Sequence, residues 1–343
     1  MSALYPGTNS PADVEAVEEI MRRGGRDLRE RMARAEAYLE RVAAESGMPL
    51  ASHATATVVA GGKRLRPLLV MLAAESAGGA REGADGEQSL IRAAVAVELV
   101  HSATLVHDDL IDGAELRRGR PTVAAVAGRG AAIATGDLLF SRAFAELARN
   151  EDSEQLRALS DASSALAAGE LLQREDAYAS EIAVERYLER CRLKTAALFE
   201  ATCRLGVLVA ADGTGALAGA LGAFAQRIGL AFQLLDDVLD VSGPAERTGK
   251  ARGTDLLDGT VTLPLILARQ RDERIASIDL ARLAGPLEAE ALCDAIAATG
   301  ALEQARAQAL AIVAEAKAML PGLFAQRYDL LGLVADAVVE RYC

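Results

Sequence analysis

The sequence has few of the residues from which thiol, zinc and nucleobase-stacking sites are built. Its 343 residues include four Cys, three His and no Trp, and only 3% are aromatic. The cysteines (Cys191, Cys203, Cys293 and Cys343) lie far apart without a CxxC pair, so we expect reduced thiols and neither a zinc framework nor a disulfide scaffold. The scarcity of aromatics and a net charge of −12 argue against nucleic-acid binding.

Long uncharged apolar runs are also missing. The N-terminus is polar and acidic and lacks the apolar stretch of a signal peptide. No run of about 18 uncharged apolar residues occurs, and the longest candidate, near 205–224, is broken by Asp212 and several glycines. We therefore expect a soluble, cytoplasmic protein without a transmembrane segment.

Apolar residues make up 51% of the chain and recur at helical spacing. Ala and Leu dominate, and both are strong helix formers. The pattern predicts an all-α fold, with a disordered N-terminus over 1–12 and a single domain over 13–343. Helices are predicted over 13–46, from Leu65 to the Gly-rich stretch 77–88, and over 89–112, 131–150, 154–176, 181–210, 215–241, 260–275, 287–298, 301–320 and 326–342.

Two acidic clusters of the form DDxxD interrupt apolar helices. The first acidic cluster is Asp108, Asp109 and Asp112, and the second acidic cluster is Asp236, Asp237 and Asp240. In each, the first and last Asp stand four apart on one helix face, where like charges repel and the helix C-terminus disfavours carboxylates. Mg²⁺ resolves this conflict, because it prefers one or two carboxylates together with substrate phosphates. The two clusters predict several cations that hold a diphosphate.

Two other interpretations apply to such clusters. A single DDxxD is often a solvated helix end, but two copies within apolar helices disfavour that interpretation. Calcium storage is disfavoured because the sequence has no DxDxDG loop of the EF-hand type.

Basic residues near the clusters are candidates for binding phosphate groups. Lys63 and Arg66 stand three apart at a predicted helix start, where free backbone N–H groups also attract anions. Arg117 and Arg118 follow the first acidic cluster, and Arg binds phosphates bidentately. Taken singly, each basic residue is more typical of a solvated surface.

Three further positions complete the candidate phosphate-binding set. Lys194 lies within an apolar stretch, and Lys250 lies on a Gly-rich loop after the second acidic cluster, where it could close over a diphosphate. His101, about two turns before Asp108, is a candidate hydrogen-bond donor to a phosphate group, whereas His107 is interpreted as a packed core residue.

The ordered motifs resemble those of the trans-polyprenyl diphosphate synthase family from about residue 60 to residue 264. They are GGKRLRP (61–67), HSATLVHDDLIDGAELRRGRPT (101–122), GDLLF (136–140), GELLQ (169–173), KT (194–195), FQLLDDVLD (232–240) and GKARGTDL (249–256). The resemblance implies an isoprenoid-synthase-type helical bundle around a central apolar cavity, and a homodimer. It also implies condensation of isopentenyl diphosphate with an allylic diphosphate, with release of pyrophosphate.

The resemblance implies roles for matching residues. Isopentenyl diphosphate is expected to bind Lys63, Arg66, His101 and Arg118. Three Mg²⁺ ions per active site are expected at Asp108, Asp112, Asp236 and Asp240, with Asp109 and Asp237 completing the metal set. The allylic diphosphate is expected to bind Arg117, Lys194 and Lys250, with Thr195 and Gln233 beside the developing allylic cation. The residues expected to carry catalysis are Asp108, Asp112, Asp236, Lys194, Thr195 and Gln233.

Small residues precede the first acidic cluster. One turn before Asp108 are Ala103 and Thr104, followed by Val100 and Val97 further back, and none is aromatic. In the family that the chain resembles, large residues at these positions are typical of enzymes that make short products. Because the residues here are small, the resemblance implies an all-trans medium- or long-chain product. Phe140 or Phe144 could form the floor of the product tunnel, and a long product implies transient membrane contact at release.

Alternatives stay open at this point. The chain could be a geranylgeranyl-length synthase, or a non-catalytic subunit that sets product length in a heteromer. A terpene cyclase or head-to-head synthase is disfavoured, because a cyclase needs no second diphosphate site. A helical scaffold without a ligand would show no thermal shift with Mg²⁺ and pyrophosphate.

Overall fold

The computed structural model describes residues 11–45, 47, 49–117, 119–243, 252–320 and 329–340. Its helices are α1 (Pro11–Arg23), α2 (Gly25–Ala44), α3 (Leu50–Val59), α4 (Leu65–Ser76), α5 (Ala84–Ile111), α6 (Val123–Ala148), α7 (Ser153–Glu175), α8 (Val184–Cys191), α9 (Ala197–Leu208), α10 (Gly215–Ser242), α11 (Thr254–Leu257), α12 (Leu263–Arg269), α13 (Glu273–Ala276), α14 (Pro286–Ala298), α15 (Ala301–Met319) and α16 (Asp329–Glu340). The prediction of an all-α fold is confirmed.

Smaller elements connect some of these helices. A π-helical segment (Arg192–Ala196) joins α8 to α9, and a 3-10 turn (Leu280–Arg282) precedes α14. Between α5 and α6, strands β1 (Leu116–Arg117) and β2 (Arg120–Pro121) form an antiparallel hairpin.

Helix α9 lies at the centre of the packing. It contacts α4, α5, α7 and α10, so it lies between the two helices that carry the acidic clusters. Buried apolar side chains from Ile20 to Val338 form one continuous cluster. The α5 residues 93–100 are all buried, and all of them except Glu98 are apolar, as expected for a helix that is packed on every side.

Glycines explain two differences from the predicted helices. The helix predicted over 13–46 is two helices, because Gly25 adopts a φ of 79°, which lies in the left-handed region that only glycine enters readily. Helix α6 begins at Val123 rather than at 131, but it contains a non-helical Gly128 with a φ of 81°. Helix α3 and the β1–β2 hairpin were not predicted.

Other boundaries also differ from the predicted ones. The helix predicted over 260–275 is the two short helices α12 and α13, and the Asp272 side chain caps α13 by accepting from the Arg274 N–H at 2.8 Å. Helix α5 begins at Ala84, inside the stretch that was predicted to be a loop. Helix α1 begins at Pro11, whereas the predicted disorder over 1–12 falls mostly outside the described residues. The single-domain prediction stays a prediction.

Among the described residues, three helices are long and apolar enough to cross a membrane by length and composition alone: α5, α6 and α10. They contain isolated charges, such as Arg92 and Glu98 in α5, so they do not conflict with the lack of long uncharged runs. In the most apolar part of each helix, 72% of the residues are buried in α5 but only 22% in α6. Core packing therefore accounts for the apolar character of α5 and leaves much of α6 exposed.

Candidate active site

The first acidic cluster lies at the C-terminal end of α5, where two of its carboxylates are paired with arginines. The Arg117 Nε in β1 donates to the buried Asp109 Oδ1 at 2.6 Å. The guanidinium of Arg174 in α7 forms an ion pair with Asp112. The hairpin and α7 thus supply positive charge to the end of the helix at which the dipole disfavours carboxylates.

Asp108 lies among other carboxylates. Burial raises the pKa of Asp108 to about 6; Lys194 opposes this rise, while Glu170 and Asp112 add to it. A divalent cation would neutralise this crowded negative charge, and carboxylate oxygens are the ligands that Mg²⁺ prefers. The donor set therefore fits Mg²⁺.

Glu170 links the first acidic cluster to Lys194. Its carboxylate forms an ion pair with Lys194 and accepts from the Arg174 Nε at 3.1 Å. Burial alone would raise the pKa of Glu170, but Lys194 and Arg174 outweigh it and hold that pKa below its usual range. Sequence reasoning assigned no role to Glu170 or Arg174, although the GELLQ motif contained the first of them.

Gly169 lets α7 approach the π-helical segment closely. A Cβ at this position would lie 2.8 Å from the Lys194 Cα, which is closer than real Cβ atoms come to backbone atoms. The π-helical segment widens one turn of the helix, and such turns occur frequently at functional sites. This close approach places Lys194 beside Glu170.

The second acidic cluster is tied to Thr195 by a chain of hydrogen bonds. The Thr195 hydroxyl donates to the Gln233 Oε1 at 2.7 Å, and the Gln233 Nε2 donates to the Asp237 Oδ1 at 2.8 Å. The other Asp237 oxygen accepts from the Tyr187 hydroxyl at 2.6 Å. Burial, with Asp255 as a second cause, raises the pKa of Asp237. Tyr187 and Asp255 were not among the predicted site residues.

Asp236 and Asp240 lie half-buried on one face of α10. The Asp255 N–H donates to the Asp240 Oδ2 at 3.3 Å, and the Gly253 N–H donates to the Asp240 carbonyl at 3.0 Å. These bonds hold the start of α11 against the end of α10. Two predicted site residues, Arg118 and Lys250, lie outside the described residues.

The consecutive residues Lys194 and Thr195 connect the two acidic clusters. Lys194 reaches Asp112 through Glu170 and Arg174, and Thr195 reaches Asp237 through Gln233. Within the described ranges, no three Asp, Glu, His or Cys side chains form a group that could hold a metal ion. Mg²⁺ retains waters and takes phosphate oxygens, so it needs only one or two carboxylates from the protein.

The predicted second phosphate site lies at the start of α4. Lys63 and Arg66 are half-buried there, and the Arg66 guanidinium lies 4.8 Å from the centroid of the Phe199 ring. His101 is half-buried on α5, seven residues before Asp108 and therefore on the same face. Arg64, between the two basic residues, is buried and turned inward.

The face of α5 beneath Asp108 carries small residues. Thr104 is half-buried on the same face as Asp108, whereas Ala103 and Val100 are fully buried. Helices α5 and α6 run antiparallel, since the Asn150 Nδ2 donates to the Ser89 carbonyl at 3.0 Å and the His107 Nε2 lies 3.4 Å from the Ile133 carbonyl.

The antiparallel register also places the two aromatic residues of α6. It puts the half-buried Phe144 about level with Val97, three turns beneath Asp108. Phe140 lies nearer the acidic cluster, with its ring centroid 5.9 Å from that of His107.

The chain is similar in sequence and in fold to known proteins. The sequence model of the polyprenyl synthetase family matches residues 48–296. Heptaprenyl diphosphate synthase component 2 of Geobacillus stearothermophilus is 38% identical over 300 residues, covering 86% of this chain and 91% of that protein. A geranylgeranyl diphosphate synthase of Methanosarcina mazei is 35% identical over 291 residues, covering 83% of this chain and 87% of that protein. The structure is similar to that of a decaprenyl diphosphate synthase from Rhodobacter capsulatus, with a TM-score of 0.85 and 30% identity, covering 95% of this chain and 99% of that one.

Proposed function

The chain belongs to the polyprenyl synthetase family, and from this premise we propose that it makes an all-trans medium- or long-chain polyprenyl diphosphate, active without a second kind of subunit. The family establishes a transferase of prenyl groups with trans-prenyltransferase activity. Its members generally condense isopentenyl diphosphate with an allylic diphosphate. The observation that carries the proposal is the link between the two acidic clusters through Lys194 and Thr195.

The carboxylates on the exposed faces of the two clusters are proposed to hold Mg²⁺, on which such synthases generally depend. These are Asp108 and Asp112 on α5, with Asp236 and Asp240 on α10. Bound Mg²⁺ neutralises the negative charge that accumulates on the departing diphosphate. We propose three ions per active site.

Asp109 and Asp237 are proposed to act mainly through their hydrogen-bonded neighbours. Both carboxylates are buried, and Asp109 already accepts from Arg117. Asp237 accepts from Gln233 on one oxygen and from Tyr187 on the other, which fixes the orientation of the Gln233 amide. Direct contacts with Mg²⁺ then fall mainly to the four more exposed aspartates.

Basic and polar side chains are proposed to bind the allylic substrate. Lys194, Arg117 and Lys250 bind the allylic diphosphate and stabilise its charge as the C–O bond breaks. The oxygens of Thr195 and Gln233 lie beside the allylic cation that forms. Water must be excluded, because it would quench that cation.

The second substrate is proposed to bind at the start of α4. Lys63, Arg66, His101 and Arg118 bind the diphosphate of isopentenyl diphosphate. Holding both substrates together converts a bimolecular collision into a local addition to the allylic cation.

Product length is proposed to depend on how deep the product tunnel runs along the face of α5 beneath Asp108. The residues of α5 at Thr104 and Val97 are not aromatic, and Phe144 lies about three turns down. The two curated relatives and the solved structure described above carry names from geranylgeranyl to decaprenyl, so the relatives leave length open. The small residues on α5 favour a medium or long chain over a geranylgeranyl-length product.

A homodimer is proposed, with α6 and α7 at its interface. Val126 and Ile133 on α6 and Leu171 on α7 are exposed apolar side chains, and Val126 is 67% exposed. The name of the Geobacillus relative, component 2, favours a heteromer as the second candidate. We propose a cytoplasmic enzyme that contacts a membrane transiently during product release.

The test is turnover by the purified chain alone. The chain would be incubated with Mg²⁺, isopentenyl diphosphate and allylic primers of different length, and the dephosphorylated alcohols would be sized by chromatography. We expect products longer than geranylgeraniol, and none from Asp108→Asn. Turnover only after addition of a second subunit would favour the heteromer, and products that form without isopentenyl diphosphate would favour a cyclase.

A further inference from the structure

We propose that Arg64 is a positioning residue for isopentenyl diphosphate, acting through the phosphate-binding residues on either side of it. The inference rests on the proposed function, which places Lys63 and Arg66 at that substrate. Along this segment the burial alternates: Lys63 and Arg66 are half-buried, whereas Arg64 is 8% exposed. The side chain of Arg64 therefore points into the protein while its two basic neighbours stay accessible.

The Arg64 guanidinium joins the segment to three helices. Its Nε and Nη2 both donate to the Glu36 carboxylate of α2 at 2.7 Å, a bidentate pair. Its Nη1 donates to the Glu98 Oε1 of α5 at 2.8 Å, and its Nη2 also donates to the Val58 carbonyl of α3 at 2.7 Å. A planar guanidinium can satisfy this fork of acceptors, whereas a Lys ammonium cannot form the same bidentate geometry.

The backbone of Arg64 is held in a conformation that a non-glycine residue rarely adopts. Its φ is 47° and its ψ is 35°, in the left-handed region, immediately before α4 begins. Such strain persists only where the surrounding contacts over-determine it, and it is concentrated at functional sites. The guanidinium contacts hold this turn together with the Leu68 N–H, which donates to the Arg64 carbonyl at 3.0 Å, and the turn sets the directions in which Lys63 and Arg66 leave the backbone.

The Glu98 contact also sets the turn relative to the third proposed ligand of isopentenyl diphosphate. Glu98 is buried on α5, three residues before His101, so one helical turn separates the Arg64 anchor from that ligand. Arg64 thus fixes the spacing between Lys63 and Arg66 on one side and His101 on the other. Among the described residues, the Arg64 guanidinium bonds to Glu36, Glu98 and Val58, none of which belongs to the π-helical segment that supplies Lys194 to the allylic site.

The inference predicts an effect on one substrate only. Arg64→Gly removes the anchor, and glycine adopts the left-handed backbone readily, so the substitution adds no backbone strain to the loss of the side chain. We expect the KM and the calorimetric Kd for isopentenyl diphosphate to rise at least about 10-fold in Arg64→Gly, because small misplacements of binding groups are costly. The KM for the allylic diphosphate should stay within about 2-fold of wild type, and Arg64→Lys should fall between wild type and Arg64→Gly.

The matched control is Glu146→Gln, which weakens another buried cluster. The Glu146 carboxylate is buried and accepts from the Tyr38 hydroxyl at 2.6 Å. Glu146→Gln should lose stability while the ratio of the two KM values stays at its wild-type value. Thermal denaturation of every variant identifies any that fails to fold. If Arg64→Gly does not fold, the inference is tested by Arg64→Lys, in which the KM for isopentenyl diphosphate should rise relative to the KM for the allylic diphosphate.

The results distinguish failure of this inference from failure of the proposed function. An equal rise in both KM values, or a wild-type Kd for isopentenyl diphosphate in Arg64→Gly, overturns the inference while leaving the proposed function in place. A wild-type chain that binds isopentenyl diphosphate without elongating any primer overturns the proposed function instead. A loss of that binding in Arg64→Gly would then still support the positioning role.

Discussion

Replacing Gly169 by Ala tests the close contact on which the candidate site depends. Gly169 on α7 packs against the π-helical segment, and an added Cβ would lie 2.8 Å from the Lys194 Cα and 2.9 Å from the Lys194 Cβ. The Cα is a backbone atom and the Cβ is bonded directly to it, so neither neighbour is the flexible end of a side chain. The added methyl group must therefore push α7 away from Lys194 and Thr195.

Overpacking is expected to lower the stability of Gly169→Ala, and displacement of Lys194 and Thr195 is expected to lower its turnover. Inserting a methyl group into a packed contact costs about 1–3 kcal/mol of unfolding free energy. A displacement of roughly 1 Å at catalytic side chains can lower turnover about 100-fold. Gly169→Ala should therefore lower both the urea midpoint and kcat, measured by urea denaturation and by incorporation of labelled isopentenyl diphosphate.

Gly219→Ala is the matched control. Gly219 is an exposed residue of α10, and a Cβ there meets nothing within 4 Å. This substitution should raise stability by about 0.4–1 kcal/mol, because it lowers the entropy of the unfolded chain. It should leave kcat unchanged. A Gly169→Ala variant with wild-type stability and kcat would refute the packing argument.

Three further predictions follow from other contacts. Thr104→Phe should shorten the product while turnover continues, and products of wild-type length from this variant would contradict the tunnel assignment. Ala103→Phe, in a fully buried position, should shorten the product and also lose about 1–3 kcal/mol of stability. Product sizing and urea denaturation check both variants. Tyr187→Phe should lower the unfolding free energy by about 1–3 kcal/mol, because it removes the buried hydroxyl that donates to Asp237. An unchanged urea midpoint would show that this hydrogen bond is not stabilising. Burial raises the pKa of Cys203 to about 12, so the thiol is neutral at pH 8 and should resist iodoacetamide until the protein unfolds. Rapid labelling of Cys203 in the native protein, measured by peptide mass spectrometry, would contradict this prediction.

The chemistry of the site could be predicted where it depends on residues close together in sequence. The spacing of Asp108 and Asp112 places them on one helix face whatever the tertiary fold, and the same holds for Asp236 and Asp240. Helical periodicity likewise predicted most helices. Local signals were misread at the glycine pair 24–25, where the positive φ of Gly25 ends one helix and starts the next.

The partners of the site residues could not be predicted, because they come from distant parts of the chain. Arg64 resembles its two basic neighbours in sequence, yet its guanidinium pairs with Glu36 and Glu98 from other helices. Tyr187 carries no local signal for its hydrogen bond to Asp237. Helical periodicity does not specify which pairs of helices bring such groups together.

The central claim is that both acidic clusters hold Mg²⁺ with one diphosphate. Isothermal titration calorimetry with an allylic thiolodiphosphate, which does not ionise readily, tests it directly in the wild type, Asp108→Asn and Asp236→Asn. We predict tight binding to the wild type that requires Mg²⁺, and loss of most of that affinity in each variant. Wild-type affinity in either variant, or equal binding to the wild-type protein in the presence of EDTA, would contradict the claim.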